Sequence, residues 1–176
     1  MNTRLIVYRL ITFTILPIAA ILGFGCLVML FSAFTNPAVL LYAFIIGSLV
    51  LYTYASFIFF SQGVMNGKKF KASLKDWVKV NAYVTLLYSA ITITIALLFF
   101  TIPAFQKLFI QWLISLQGNT QASITAAANR EALTHALGNG LLMSAVFSVV
   151  LIVHIIITMG LLKQFNHLFG NSSKQA

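Results

Sequence analysis

Gly63 to Lys79, GVMNGKKFKASLKDWVK, is the stretch on which the fold turns. It carries five of the chain's eleven Lys and Arg residues (Lys68, Lys69, Lys71, Lys75 and Lys79) and one of its two acids, Asp76. Long apolar runs flank it on both sides. A loop this basic does not enter a bilayer, and lysines beside a span stay cytoplasmic during insertion. The stretch therefore divides the chain into two antiparallel helical hairpins and sets their orientation.

The composition points to lipid as the solvent. Of the 176 residues, 60% are apolar and 7% charged, against about 45–50% and about 25% in soluble domains. The formal charge of +9 could suggest nucleic acid. The basic residues lie at the ends of apolar runs, however, where they anchor to anionic headgroups, and no basic surface is left for a nucleic acid. The one cysteine, Cys26, has no intrachain partner and reads as a small packing residue.

Working backwards from the loop, the second span covers about residues 38–60 and the first about 10–34, with Thr35-Asn36-Pro37 as a short breaker. The first run is too long for the core of a cleaved signal peptide. Pro17 predicts a bend at 13–17, and Ala19 with Gly23 a close helix approach. Ser48, Tyr52, Ala55, Ser56, Phe59 and Gln62 share one face of the second span, and Ala43 and Gly47 mark another.

Working forwards, Asn66-Gly67 reads as a turn, and Ser73-x-x-Asp76 as a capping box that starts a helix near Leu74. Trp77 then sits at the interface. The third span covers 80–102, and Asn81, Thr85, Tyr88, Ser89, Thr92 and Ala96 gather on one side of it. Residues 104–137 form an outer interfacial segment with one or two short helices. The first has Phe105, Leu108, Phe109, Trp112 and Leu116 on one face, and Gly118-Asn119 ends it. An Ala-rich stretch from Gln121 to Leu137 follows, with Glu131 beside His135. Gly138 and Gly140 separate it from the fourth span, 141–162, or kink it into that span. The tail, 163–176, reads as polar and frayed, and its Asn171-Ser172-Ser173 acceptor motif falls on the wrong side for glycosylation.

Nine Lys and Arg residues then fall on one side of the membrane and two, Lys107 and Arg130, on the other. That asymmetry places both termini in the cytoplasm, and the expected location is the plasma (bacterial inner) membrane.

The candidate intramembrane polar site centres on His154, near the middle of the fourth span. Ser144, Ser148, His154 and Thr158 share a face, opposite Leu142, Val146, Val149, Val153 and Ile157. An ionisable group at that depth faces the bundle interior. A structural imidazole bonded to Tyr88, Thr92 or a backbone carbonyl would hold the fourth span to the third. A proton-responsive group would need a relay, and no span supplies Asp, Glu, Lys or Arg for one. The scattered histidines argue against haem, and no Cys/His spacing suggests a metal, so no cofactor is expected. Asp76 and Glu131 fall on opposite membrane faces, which argues against catalysis.

Lys68, Lys69, Lys71, Lys75 and Lys79 are candidate contacts for anionic lipid. The expected partners are membrane lipids and either a second copy or a second membrane protein. The resulting expectation is a non-enzymatic accessory or assembly subunit. The alternative is a small transporter or channel subunit with a polar path between the third and fourth spans.

Overall fold

A computed structural model describes residues 3–116 and 129–170. It is all-helical, with α1 at Thr3–Ser32, α2 at Val39–Ile58, α3 at Ala72–Thr101, α4 at Pro103–Leu116 and α5 at Arg130–Gln164. Four of these, α1, α2, α3 and α5, are long and apolar enough to cross a membrane. Gly118-Asn119, residues 121–128 of the Ala-rich stretch and Asn171-Ser172-Ser173 lie outside the described residues.

The ends of the helices follow from local chemistry. After Ser32 the chain turns through Thr35, whose hydroxyl donates to the Ser32 carbonyl at 2.9 Å. Asn36 Oδ1 then accepts from the Ala38 amide at 3.1 Å, and α2 begins. Pro17 removes one donor from α1 without ending the helix. Pro103, which needs no partner for its nitrogen, opens α4 with only Ile102 between it and the end of α3.

α2 does not stop at the basic loop but widens into a π-helical turn, Phe59–Val64. The Met65 amide reaches back to the Phe60 carbonyl at 3.0 Å, and Gly67 to Gly63 at 2.8 Å. Gly67 has φ +67°, the left-handed conformation that closes helices at this position. The Asn66-Gly67 turn is therefore a helix stop.

Three expectations need correction. α3 begins at Ala72, so Ser73 lies inside the first turn and cannot cap it. Gly138 and Gly140 do not interrupt the last helix: α5 is continuous over 35 residues, about 52 Å long. Finally, the tail is tied down as far as Phe169. Its polar composition hides Phe165, Leu168 and Phe169, and Leu168 is only 5% exposed.

The chain divides into two compact units, one of residues 1–88 and 150–176 and one of residues 89–149. In the first, Tyr8, Tyr52, Phe59, Phe60, Val78, Ala82, Ile155, Leu161 and Leu162 form the buried core. α1 lies along α2 through successive contacts: Cys26 Sγ donates to the Ala43 carbonyl at 3.3 Å, and Gly23 faces Val50. In the second unit, Phe99 meets Phe100 and Phe109 edge-on, and Phe109 packs on Phe105 and Trp112. Gly138 lies against the Phe99 and Phe100 rings. Among the described residues of α4, Ile110 is buried, while Leu108 and Trp112 point outward. α4 carries two apolar stripes, and the one with Ile110 is turned in.

Candidate functional site

His154 is fully buried, in the part of α5 that belongs to the first unit. Its neighbours come from α1 and α2. Thr12 Oγ1 donates to the Tyr8 carbonyl at 2.7 Å, so it accepts from His154 Nε2–H, 3.0 Å away. An imidazole with its proton on Nε2 leaves Nδ1 as an acceptor, and Tyr52 O–H donates to it at 2.7 Å. Thr158 Oγ1 donates to the His154 carbonyl at 2.8 Å and lies 3.0 Å from the Tyr52 hydroxyl. The Tyr8 hydroxyl is 3.2 Å from Thr158 Oγ1 and 3.5 Å from the Ser56 carbonyl. The Tyr8 ring also stacks on the imidazole at 4.7 Å and 12°, while Tyr52 meets it edge-on.

Each of these residues reaches the knot by helical spacing. Tyr8, Thr12, Ile15 and Ala19 form a buried stripe along α1, with the four- and three-residue steps of a packed face. On α2, Ser48, Tyr52, Ser56 and Phe59 do the same. On α5, Ser148, Leu151, His154, Ile155 and Thr158 are buried, while Val146, Val149 and Val153 are exposed. Chemically the knot is a pin. Its hydroxyls join three helices around one imidazole, and both ring nitrogens are engaged.

The other members of the predicted polar site are placed differently. Ser144, on the same sequence face as His154, is exposed in the second unit. Ser148 is buried in that unit, as is Thr92. Tyr88 belongs to the first unit and is 36% exposed. The ring nitrogens of His154 are bonded to Thr12 and Tyr52, not to Tyr88 or Thr92. Two members of the polar stripe of α3 instead bond within their own helix: Asn81 Nδ2 donates to the Trp77 carbonyl and Thr85 to the Asn81 carbonyl, both at 2.8 Å, while Ser89 Oγ is buried with no hydrogen-bond partner among the described residues. Sequence reasoning left out Tyr8, because the first apolar run was counted from Leu10, and Thr12, because that run was read for its small residues and not for its polar ones. The periodic stripe beginning at Tyr8 was the signal that could have found them.

The basic loop holds a second constellation, a clasp between loop and tail. The Phe70 amide donates to the Leu168 carbonyl at 2.8 Å, and Phe70 and Phe169 form a parallel bridge. Phe169 stacks on Phe59 at 5.4 Å, and Lys75 Nζ donates to Asn166 Oδ1 at 2.6 Å. A Cβ on Gly63 would come within 2.7 Å of the Phe70 ring. Lys68 donates to Gln62 Oε1 at 2.9 Å. Lys69 and Lys71 are exposed, and Lys75 and Lys79 half-buried. Among the described residues, no three His, Cys, Asp or Glu side chains come together. Glu131, at the start of α5, forms no ion pair with Arg130 or His135.

Comparison with family models, with curated proteins and with solved structures finds no match for this chain.

Proposed function

We propose that the chain is a multi-pass protein of the plasma (bacterial inner) membrane. Its four spans form two antiparallel hairpins, and both termini are cytoplasmic. It acts without catalysis, through protein or lipid contacts, as an accessory or assembly subunit. The observation that carries this reading is the enclosure of His154, which is 0% exposed and has both ring nitrogens taken by protein hydroxyls. A transport path would need the imidazole to meet water or solute. A buried, fully bonded imidazole supplies helix packing instead.

The outward faces support the same reading. Phe24, Phe31, Phe44, Leu87 and Ile156 are all more than half exposed, an arrangement suited to lipid or to another membrane helix.

The test is native mass spectrometry of the protein extracted gently from its own cells. A second polypeptide in stoichiometric amount is the expected result. A bare homo-oligomer would overturn the accessory-subunit reading. Proton or solute flux in liposomes that is lost in His154→Gln would then establish a transporter.

A further inference from the structure

One feature of the first unit is unlike the knot. A groove of about 700 Å³ runs between α1 and α2 on one side and α3 on the other. Its walls are almost wholly apolar, with Leu30, Leu40 and Phe44 at one end and Val80 and Val84 towards the other. Two buried polar side chains also line it. Ser48, 3% exposed, makes no hydrogen bond among the described residues. Asn81, 7% exposed, gives one amide proton to the Trp77 carbonyl and keeps the other. Beyond them, at the N-terminal end of α3, the groove is lined by Asp76 and Trp77. Asp76 forms no ion pair with any of the five lysines of the basic loop.

The geometry points to a binding site for one acyl chain of an ester-linked phospholipid with a primary ammonium headgroup. This rests on the membrane reading above and names the lipid class. A chain-like occupant follows from size. Leu40 to Leu51 spans about 17 Å, and a helix about 10 Å across displaces about 1,300 Å³ over that length. That is almost twice the groove, so a helix would rest on the rim, whereas an alkyl chain is thin enough to lie inside. The ester follows from the two free donors, the Ser48 O–H and the second Asn81 N–H, which need an acceptor. Glycerol-ester carbonyls are acceptors only. The ammonium follows from Asp76, which stands about 7 Å along α3 from Asn81. An unpaired carboxylate repels an anionic headgroup and bonds an N–H-bearing cation. Trp77, 57% exposed, suits the headgroup level.

The purified full chain in detergent is titrated with dioleoyl phosphatidylethanolamine, phosphatidylcholine and phosphatidylglycerol, and retained lipid is read by native mass spectrometry. One equivalent of phosphatidylethanolamine should be held about tenfold more tightly than either of the others. Asp76→Asn should reduce that preference to the level of phosphatidylcholine. Val80→Trp fills the groove from an exposed position on α3 and should remove the tight equivalent without unfolding the chain. Preference for phosphatidylglycerol would overturn the proposal in favour of the lysines alone, and so would retention unchanged by Val80→Trp. A co-purifying polypeptide displaced by Val80→Trp would also overturn it. The lipid-retention results leave the search for a stoichiometric partner untouched, while a chain monodisperse without detergent would fail the membrane reading itself.

Discussion

The knot at His154 and the groove beside Ser48 lie in the same unit and draw on the same helix, α2, yet they treat polar atoms in opposite ways. Around His154, two tyrosines and two threonines converge, and every polar atom that meets the imidazole belongs to the chain. Around Ser48, a hydroxyl and an amide proton line an open groove. Tyr52 and Ser48 are one helical turn apart, so the difference lies in what stands across from each. Opposite Tyr52 is a histidine, whereas Ser48 opens into a space that the protein does not fill. Buried polarity that is closed on itself fixes helices. Buried polarity without a partner marks where something else belongs.

Breaking the closed side should have the largest effect. His154→Ala removes two bonds between helices and the ring stacked on Tyr8, and it leaves a cavity. The expected loss is about 2–4 kcal/mol in reversible unfolding in mixed micelles. A loss below about 0.5 kcal/mol would erase the distinction between knot and groove. Gly63→Ala comes next, since the new methyl can fit only if Phe70 moves. It should cost about 1–3 kcal/mol, with faster hydrogen exchange at the Phe70 amide as the specific readout. Tyr52→Phe keeps the packing and removes the hydroxyl shared by His154 and Thr158, for about 1 kcal/mol. Ser48→Ala should be the mildest, within about 0.5 kcal/mol in detergent because no bond is lost. A larger cost would mean that Ser48 is as closely held as Tyr52.

What the sequence made legible, and what it hid, follows the same division. The four long apolar helices could be read because a run of about 20 apolar residues leaves few other structures open to it. The buried face of α5 from Ser148 to Thr158 could be read because helical pitch is fixed. Which helices stand across from that face could not. Periodicity gives the direction of a side chain and says nothing of its partner. The stripe on α3 looked like the natural complement, but Asn81 and Thr85 bond carbonyls of their own helix. The π-helical turn at Phe59–Val64 has no sequence signature, since a single inserted residue shifts the ladder without changing composition. The clasp was hidden by averaging. In KQFNHLFG, polar neighbours mask Phe165 and Phe169, which pack against the core, Phe169 on the Phe59 and Phe70 rings, and Leu168, which is buried.

That clasp has a consequence in time. A ribosome delivers residues 59–75 well before residues 165–169, so the Phe70 amide and the Lys75 ammonium meet their Leu168 and Asn166 partners only after α5 has been made. The first three long helices can be synthesised and oriented while this junction still stands open. It then shuts like the last stitch in a seam, and a chain cut short before Leu168 would keep its helices but leave the loop unfastened.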